Sequence, residues 1–479
     1  MNGKQLSGCF FCVVPLYLRG MDMQLVFDRQ KKHSLVMRYS TVRQRIATLK
    51  KLRTWILENR GRIQRAVYQD LRKSAEEADI SEIYVVTSAL KKTIRNLKYW
   101  VQPDPQRFSL TFLGTRGEVY YEPKGTVLII SPWNYPFNLA VGPLIHAIAA
   151  GNTVIMKPSE LSAHTSELIR QMALEVFQPE EVHVFTGGVD VSTELLKLPF
   201  DHIFFTGSPR VGKIVMEAAA KHLASVTLEL GGKSPCVIDE MADVKDAAQK
   251  IAWGKWLNAG QTCLAPDYLF VHEKIKDRFL SELKAEVIRQ YGDRDYSCII
   301  SDGHFDRLKE WKEEALAKGA SLYYEGTSDP SERRLAPAII EDVSPGTHLD
   351  ENEIFGPVCM VKGFKDLDEV IAMVNARPKA LSAYLFSKNK QAIRAFKERT
   401  SSGALLINDT LIHFGHPSLP FGGVNNSGIG KSHGKYGFME FSNPKAVLKQ
   451  RVGFTMAKLL HPPYGKLKKW NIEFMIKYL

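Results

Sequence analysis

Cysteine is scarce in this sequence, and its cysteines stand far apart. Single thiols scattered over a long chain do not make the disulfide framework of a secreted domain, so they predict a reducing compartment, and we expect the cytoplasm. Cys9 and Cys12 have the spacing of a redox motif, but no strand–helix unit surrounds them, and we interpret the spacing as chance. No cysteine has the companions of a metal ligand, and no metal site is expected. The six cysteines of the 479 residues are Cys9, Cys12, Cys236, Cys263, Cys298 and Cys359.

Long apolar runs are missing as well. No stretch approaches the roughly 20 apolar residues that a membrane-spanning helix needs, so we expect no transmembrane segment. The apolar run from Cys9 to Leu18 is short, is interrupted by Pro15 and lacks the small residues of a signal-peptide cleavage site. Residues 1–23 are therefore interpreted as an extension, either disordered or translated from a start codon placed too early.

Charge of one sign is not concentrated in any large part of the chain. The 64 basic residues exceed the 52 acidic ones and give a net charge of +12, but lysine and arginine alternate with an apolar stripe along predicted helices. That pattern is typical of a solvated surface. No zinc-finger, aromatic RNA-binding or basic-helix signature accompanies it, so no nucleic-acid partner is expected.

The basic tail, residues 461–479, has two interpretations. A frayed helix is favoured, because the second signal that stable membrane anchoring needs is absent. Weak peripheral contact with an anionic membrane is the alternative, since basic side chains are mixed with aromatic and apolar ones. These side chains are Lys466, Lys468, Lys469, Trp470, Phe474 and Met475.

Strand and helix patterns alternate from Gly125 onward. Short β-branched runs such as TVLII, TVIMKP and HIFFTG are separated by helical segments, which predicts parallel sheets with crossover helices. Two long amphipathic patterns, roughly Thr41–Leu71 and Ser81–Val101, precede them, and FSLTFLGTRGEVYYEPKG is typical of a hairpin. The alternation breaks near LELGGKSP, at about residue 230. We therefore predict an α/β fold with two open, twisted parallel sheets.

Cys263 is an isolated thiol in the polar stretch NAGQTCLAPDY. The thiolate is the nucleophilic form of cysteine, and no basic residue stands beside this one. Activation would have to come from backbone N–H groups, a helix end or a distant base brought close by folding. Taken alone, an inert thiol is the favoured interpretation of Cys263.

Two further polar residues change that balance. Glu229 ends an apolar strand pattern between Leu228 and Leu230, where burial would raise the pKa of a carboxyl towards that of a useful general base. The alternative is a buried ion pair with Lys233. Asn134 follows a strand in ISPWNYPFN, on a loop stiffened by prolines, and an amide held there can donate to an oxyanion. The alternative is an asparagine that caps a turn.

Together these stretches resemble the aldehyde dehydrogenase superfamily. The resemblance extends from about Thr41 to Pro463, and the separation of 34 between Glu229 and Cys263 (263 − 229) agrees with it. LPFGGVNNSGIGKSHGKYGF, the short N-terminal segment and the tail are most similar to the class 3 branch, which includes fatty and aromatic aldehyde dehydrogenases. The motifs that carry the resemblance, in order, are PWNYPF, MKPSE, FTGSPRVG, LELGGKSP, GQTC and EIFGPV.

The resemblance implies a reaction and roles for its residues. An aldehyde, expected to be medium- or long-chain aliphatic or aromatic, would be oxidised to a carboxylic acid with NAD(P). Cys263 would form a thiohemiacetal and then a thioester, Asn134 and the Cys263 N–H would hold the oxyanion, and Glu229 would activate the hydrolytic water. The alternative is a descendant of the same fold that binds cofactor or has a structural role without catalysis.

The resemblance also implies a nucleotide site. Glycines between a strand and a helix in FTGSPRVG suit a pyrophosphate at a helix N-terminus, although the segment is not the G-x-G-x-x-G fingerprint. A carboxylate at the ribose 2′-hydroxyl, Glu160, favours NAD over NADP, and class 3 relatives accept NADP as well. The expected cofactor residues are Trp133, Lys157, Ser159, Glu160, Gly207, Ser208, Gly212, Leu230, Gly231, Glu353 and Phe355.

Domain boundaries follow from the same resemblance. We predict an NAD-binding domain at 24–106 and 122–229, a catalytic domain at 230–415, and a glycine-rich segment at 416–439. Residues 107–121 and 440–460 would form an oligomerisation arm, so a homodimer is expected.

Some residues depart from the superfamily pattern or fit another one. Asn352 precedes Glu353 where an acidic residue is usual, Asn425 replaces a glycine, and the segment near 292–300 is short. The sequence NSGIGKS contains the end of a phosphate-binding loop of a nucleotide hydrolase, but Asn425 stands where that motif opens with glycine. We therefore do not favour a hydrolase.

Overall fold

The computed structural model describes residues 22–107, 112–292, 296–416, 418–453 and 455–478. Within them the fold is α/β, as the sequence predicts. The strands are β1 (Asp104–Pro105), β2 (Thr115–Pro123), β3 (Thr126–Ile130), β4 (Thr153–Lys157), β5 (Val182–Val184), β6 (His202–Gly207), β7 (Ser225–Leu230), β8 (Ser234–Ile238), β9 (Pro266–His272), β10 (Ser321–Glu325), β11 (Ala338–Glu341), β12 (Val358–Phe364), β13 (Ser382–Phe386), β14 (Ala404–Ile407), β15 (Gly428–Ile429) and β16 (Ser442–Gln450).

Helices connect these strands and cover their faces. They are α1 (Met23–Arg38), α2 (Val42–Glu58), α3 (Arg60–Leu71), α4 (Ala75–Ala78), α5 (Val85–Trp100), α6 (Asn138–Ala150), α7 (Ala163–Val176), α8 (Val189–Leu195), α9 (Pro209–Ala220), α10 (Val244–Trp256), α11 (Lys276–Tyr291), α12 (Asp302–Ala317), α13 (His348–Glu351), α14 (Leu367–Asn375), α15 (Lys390–Arg399), α16 (Gly434–Glu440) and α17 (Lys466–Tyr478).

The first sheet has the strand order β15-β7-β6-β3-β4-β5, and all its neighbours are parallel except β15 and β7. Both faces are buried: Val127 and Ile129 pack towards one hydrophobic cluster and Leu128 and Ile130 towards another. This explains the continuous apolar runs in the sequence, because a strand covered on both sides has no polar face. The strand order reverses between β3 and β6, and ligands bind at such a switch point, beyond the carboxyl ends of the strands.

The second sheet has the order β10-β11-β12-β9-β8-β13-β14 and is parallel except for the pair β10 and β11. The chain passes from the first sheet to the second between Leu230 and Ser234. The largest hydrophobic cluster lies around this sheet. The predicted domain boundaries remain predictions, although this passage lies close to the predicted junction.

A small antiparallel sheet joins two distant parts of the chain. β16 pairs with β2 along its whole length, from Ser442 opposite Pro123 to Gln450 opposite Thr115. β1 pairs with β2 on the other side, with Asp104 opposite Val119. The hairpin predicted from FSLTFLGTRGEVYYEPKG includes residues 108–111, which lie outside the described residues.

The N-terminal helices differ in detail from the sequence patterns. The sequence analysis assigns no helix to 23–38, where α1 begins directly after Asp22, whose side chain accepts from Gln24 N–H. The long pattern from Thr41 to Leu71 is two helices, because the chain leaves helical geometry at Asn59 (φ −103°, ψ 17°). Before α5, residues Asp79–Tyr84 form a wider, π-type turn.

Candidate active site

Cys263 follows a left-handed turn and precedes β9. Asn258 (φ 55°), Ala259 (φ 52°) and Gly260 (φ 70°) are consecutive residues in the left-handed region, which costs energy at the first two because they have a Cβ. A Cβ on Gly260 would collide with the carbonyl oxygen of Gly356. The turn is therefore a strained piece of backbone that the surrounding protein holds in place, a feature that clusters at functional sites.

The side chains of Gln261 and Tyr384 hold this turn. The Gln261 amide donates to the carbonyls of Asn258 (3.1 Å) and Cys298 (2.9 Å) and accepts from Ile300 N–H (3.0 Å). The Tyr384 hydroxyl donates to the carbonyl of Leu264 at 2.6 Å. The nucleophile candidate therefore sits on a backbone that is fixed on both sides.

The Cys263 thiol is partly exposed and lies on the wall of a cavity. Burial raises its pKa, and the carboxylates of Glu353 and Glu229 raise it further. The backbone N–H groups of Cys263 and Leu264 bond to the sulfur and act in the opposite direction. These N–H groups are one of the activating features that the sequence analysis allowed, and they can serve an oxyanion equally well. The resting thiol keeps its proton until a base removes it.

Asn134 lies on the loop after β3 and is tied to the loop that carries Cys263. Its Nδ2 donates to the carbonyl of Gln261 at 3.0 Å, and its own carbonyl accepts from Nδ2 of Asn258 at 2.8 Å. The side chain is buried. Because an amide nitrogen carries two hydrogens and one is directed at Gln261, the second remains for a ligand near Cys263.

Glu229 is the penultimate residue of β7 and is buried. Ser432 Oγ donates to its Oε1 at 2.8 Å, while Oε2 has no hydrogen-bond partner among the described residues. Burial raises the pKa of this carboxyl to about 8. Glu440 also raises this pKa, whereas Ser432 and Lys431 lower it. The alternative partner Lys233 bonds elsewhere, to Asp267 and to the carbonyls of Leu349 and Asn352.

A cavity of about 680 Å³ joins these three side chains to the carboxyl ends of β3 and β6. Most of the predicted cofactor residues lie on its wall. Four do not: Lys157, Ser159, Glu160 and Gly212. Those on the wall, besides Cys263, Glu229 and Asn134, are Trp133, Gly207, Ser208, Leu230, Gly231, Glu353 and Phe355.

The four residues off the wall have identifiable positions. Lys157 ends β4 and bonds with Glu160 at 2.7 Å, and Ser159 Oγ accepts from Leu161 N–H at 3.3 Å. Gly212, in the first turn of α9, packs so tightly against Leu230 that a Cβ would come within 2.8 Å of that side chain. Gly212 therefore permits close packing of helix and strand.

Glu353 is a partly exposed acid on the wall of the same cavity, and its Oε1 is buried. Burial raises its pKa to about 8. A Cβ on Gly231 would collide with its carboxylate, and its Oε1 has no hydrogen-bond partner among the described residues. Phe355 adopts φ 50° and packs edge-on against Trp133, with 5.4 Å between the ring centroids. A buried carboxylate oxygen without a partner on a cavity wall indicates a place for a ligand hydroxyl.

A second, smaller cavity of about 50 Å³ also has Cys263 and Glu229 on its wall. A further cavity of about 50 Å³ shares Asn138 and His146 with it and reaches Lys92. Burial lowers the pKa of His146 to about 4, so this histidine is neutral at physiological pH. Apolar and aromatic side chains dominate the wall of the second cavity: Leu139, Pro143, Phe204, Leu230, Leu381, Phe414 and Phe421.

The sequence analysis missed several residues of this site. Gln261, His146, His433 and Ser432 are not singled out by spacing or neighbours. The segment NSGIGKS contributes to the class 3 resemblance and ends like a phosphate-binding loop, but neither pattern assigns a role to Ser432. The structure places this segment differently: Lys431 Nζ donates to the carbonyls of Gly422 and Gly423. Asn425 takes φ 55° and accepts from Lys379 at 3.0 Å, which shows how asparagine fits where glycine is usual.

Clustered metal ligands and membrane-spanning helices are both absent from the described residues. These residues contain no group of three or more histidine, cysteine, aspartate or glutamate side chains placed to hold a metal ion. In the same residues, no helix has both the length and the apolar character needed to cross a membrane.

Comparison with known proteins gives consistent matches over nearly the whole chain. The sequence model of the aldehyde dehydrogenase family matches residues 19–447. The chain is 41% identical over 464 residues to aldehyde dehydrogenase family 3 member A2 of Mus musculus, covering 95% of this chain and 94% of that protein. It is 42% identical over 425 residues to the dimeric NADP-preferring aldehyde dehydrogenase of Rattus norvegicus, covering 88% and 93%. The solved structure described as the substrate-bound state of Staphylococcus aureus AldH matches with a TM-score of 0.91 at 39% identity, covering 95% and 100%.

Proposed function

The chain belongs to the aldehyde dehydrogenase family, and we propose that Cys263 is its nucleophile, Asn134 its oxyanion donor and Glu229 its hydrolytic base. Members of this family oxidise aldehydes to carboxylic acids with NAD or NADP, and that is the activity of this chain. The observation that carries the residue assignment is the convergence of the three side chains on one cavity, although they come from different elements of two sheets.

In the first step the Cys263 thiol releases its proton to solvent, and the sulfur bonds to the aldehyde carbon. The electrons of the carbonyl double bond move to oxygen, and the resulting oxyanion accepts hydrogen bonds from Asn134 Nδ2 and from the Cys263 N–H. These donors are already fixed by the hydrogen bonds of the two loops, and fixed donors stabilise developing charge without reorganisation. A nicotinamide held beside Phe355 and Glu353 would supply the acceptor for the hydride of the substrate carbon, which would leave a thioester on Cys263.

In the second step Glu229 acts as a base on water. Its Oε2 takes a proton, the water oxygen bonds to the thioester carbon, and the carbon–sulfur bond breaks so that the electron pair returns to Cys263. Glu229 then passes this proton to the Cys263 thiolate, so the products are a carboxylic acid and the free thiol. The unpartnered Oε2 and the pKa of about 8 support this assignment, because an effective base titrates near the working pH.

The residues around the larger cavity fit a dinucleotide. Gly207 and Ser208 stand where β6 passes into α9, whose N-terminal N–H groups suit a pyrophosphate. Glu353 would bond the nicotinamide ribose, Phe355 and Trp133 would pack near the ring, and Lys157 and Glu160 would meet the adenosine ribose. Oε1 of Glu353 is buried and has no hydrogen-bond partner among the described residues. This oxygen can accept a hydrogen bond from a ribose hydroxyl, which supports the fit of a dinucleotide.

NAD is the proposed preferred cofactor of the two. Glu160 lies partly exposed beside Lys157, beyond the end of β4. A carboxylate there repels a 2′-phosphate and accepts a hydrogen bond from a 2′-hydroxyl. The rat relative is described as NADP-preferring, so we propose a preference and not exclusive use.

The proposed substrates are medium- or long-chain aliphatic or aromatic aldehydes. The smaller cavity also reaches Cys263, and its wall is mainly apolar and aromatic. Such a wall favours an apolar substrate body whose carbonyl carbon faces the sulfur.

Assembly and location are also proposals. Pairing of β16 with β2 forms an extended arm with largely exposed side chains, which supports a homodimer, and the rat relative is described as dimeric. We place the protein in the cytoplasm from its single, unpaired thiols. Peripheral membrane contact through the tail remains a secondary proposal: α17 is basic and carries the stacked pair Trp470 and Phe474.

The test compares the first turnover with the steady state. Cys263→Ala should abolish aldehyde-dependent formation of reduced cofactor while cofactor binding persists, and Cys236→Ala, which removes a buried thiol from β8, is the matched control. Glu229→Gln should keep a first-turnover burst and slow the steady state about 10²–10⁴-fold. Residual oxidation by Cys263→Ala above background would exclude the covalent route.

A further inference from the structure

Ser432 is the residue that fixes the side chain of Glu229. Its hydroxyl donates to Oε1 at 2.8 Å, and both residues are buried. The only other acceptor within reach among the described residues is the carbonyl of Phe421 at 3.4 Å, near the limit for a hydroxyl donor. The main contact of this hydroxyl is therefore the proposed base.

The backbone of Ser432 is held independently of its hydroxyl. Phe421 and Ser432 exchange two backbone hydrogen bonds, of 3.0 and 2.6 Å. Nearby, β15 pairs with β7 so that Gly428 lies opposite Glu229. A Cβ on Gly428 would collide with the carbonyl of Leu228, so glycine is needed for this approach. Removing the hydroxyl should leave the frame intact and alter only the carboxylate.

The bond to Oε1 gives the two carboxylate oxygens different tasks. Oε1 is anchored, whereas Oε2 has no partner among the described residues. Both cavities that meet at the thiol have Glu229 and Cys263 on their walls. A carboxylate held by one oxygen keeps its other oxygen directed at a water beside the thioester. Without that hydrogen bond the side chain would populate several rotamers.

Lys431, the neighbour of Ser432, supplies positive charge to the same place. Its Nζ donates to the carbonyls of Gly422 and Gly423, and it is partly buried. Its attraction lowers the pKa of Glu229 against the larger effect of burial. Glu440 of α16 acts in the opposite direction, and the Cys263 thiol also interacts with Glu229. His146 and His433 line the smaller cavity together with Glu229, and burial lowers the pKa of both, so they face it as neutral rings.

We propose that Ser432 and Lys431 are positioning residues for the hydrolytic half-reaction: Ser432 orients the Glu229 carboxylate, and Lys431 holds a positive charge beside it. Both Lys431 Cδ (3.2 Å) and Glu229 Oε1 (3.4 Å) lie close to the position that a Cβ on Gly422 would take. The inference rests on the proposed role of Glu229 as base. In that reaction Glu229 Oε2 takes the proton of water, the oxygen bonds to the thioester carbon, and the thiolate of Cys263 leaves with the electron pair. Neither positioning residue is consumed, and neither contacts the substrate carbon.

Ser432→Ala is the first test, with an aliphatic aldehyde and NAD as probes. The first-turnover burst should stay within about twofold, because thiohemiacetal formation does not require the anchor. The steady-state rate at neutral pH should fall about tenfold, and its rising pH limb should move up by about one unit, since a hydrogen bond to a charged group favours ionisation. Ser432→Thr keeps the hydroxyl and should recover most of the rate.

Lys431→Met is the second test. This substitution should raise the pH midpoint of the rising limb by about half a pH unit. The shift is smaller than that expected for Ser432→Ala, because the charge of Lys431 is partly exposed and is screened by solvent. The shift should shrink as salt is added, and Lys431→Arg should abolish it. Two matched controls should leave the limb unchanged: Ser427→Ala, whose hydroxyl bonds only to Val424, and Lys435→Met, which removes an exposed charge from α16.

The outcomes separate this inference from the proposed function. If Glu229→Gln leaves the steady-state rate unchanged when hydrolysis is limiting, the base assignment itself fails. If Glu229→Gln slows hydrolysis but Ser432→Ala does not move the pH limb, the positioning role is overturned. A third outcome is that Ser432→Ala slows the burst and the steady-state rate equally, does not shift the pH limb, and unfolds at the same temperature as the wild type. That result assigns Ser432 a structural role and also overturns the proposal.

Discussion

Lys73 and Glu82 form an ion pair whose two side chains are 0% exposed, with 2.9 Å between Nζ and Oε1. The pair lies behind the loop that carries Asn134. Lys73 Nζ is 3.5 Å from the Asn134 carbonyl, and Glu82 Oε2 accepts from Asn138 N–H at 2.8 Å. The neighbouring Glu77 accepts from the N–H of Asn258 at 2.9 Å. The N-terminal helices thus hold both loops of the active site through buried charges.

Lys73→Met should destabilise the protein by about 3–5 kcal/mol, because it leaves the carboxylate of Glu82 buried without its counter-charge. The measurement is the free energy of unfolding in denaturant. Lys31→Met is the matched control, since Lys31 pairs with Asp201 at the surface and should lose no more than about 1 kcal/mol. Equal losses of unfolding free energy in the two variants would show that burial of the Lys73–Glu82 pair does not increase its contribution to stability.

Asn134→Ala should lower kcat by roughly 10²–10³-fold, because one preorganised oxyanion donor is lost. The burst of reduced cofactor should slow, since the thiohemiacetal forms in the first half-reaction. Asn96→Ala is the control: its amide also donates to a carbonyl, that of Lys92, but on α5 and far from Cys263 in sequence. A change confined to KM would argue against an oxyanion donor.

The steady-state rate should follow the ionisation of Glu229 when hydrolysis is limiting. Its pKa is about 8, above the usual range of a carboxyl, and the ionised form is the base. The rate should therefore rise with pH until about 8 and then level, and below that it should fall about tenfold per pH unit. A profile of steady-state rates against pH, with burst amplitudes measured in parallel, checks this. A rising limb with its midpoint near pH 4, the ordinary pKa range of a carboxyl, would contradict the assignment of the limb to Glu229.

Glu160→Gln should shift cofactor preference towards NADP. The change removes a negative charge from the place proposed for the adenosine ribose and leaves Lys157 beside it. The ratio of kcat/KM for NADP to that for NAD should rise on the order of tenfold. Glu217→Gln, an exposed substitution on α9, should leave the ratio unchanged. An unaltered ratio in Glu160→Gln would place the ribose elsewhere.

The strands around the active site are predictable from short stretches of sequence. TVLII is β3 and HIFFTG is β6, because strands buried on both faces need unbroken apolar runs. The helix α1 is not predictable in this way. Two of its five buried residues, Gln30 and Ser34, are polar, so its inward face has no clear apolar period.

The residues that position the catalytic groups are hidden for a different reason. Ser432 contacts Glu229 across 203 positions, and Glu77 contacts Asn258 across 181. No local propensity encodes such a pair, since each forms only when separate sheets and segments have packed. The left-handed turn at Asn258 and Ala259 is equally invisible, because neither residue is the glycine that such backbone favours.

The placement of Glu229 and Cys263 has a consequence for how the enzyme should fail. Glu229 ends β7 of one sheet, whereas Cys263 precedes β9 of the other. The oxyanion donors of Cys263 and Asn134 are tied to each other, but the base approaches them across the seam between the sheets. A displacement of about 1 Å between the two sheets would lower the rate of thioester hydrolysis on the order of 10²-fold and leave the rate of acylation unchanged. In mild denaturant we therefore expect an enzyme that completes one turnover and then stalls as its own thioester.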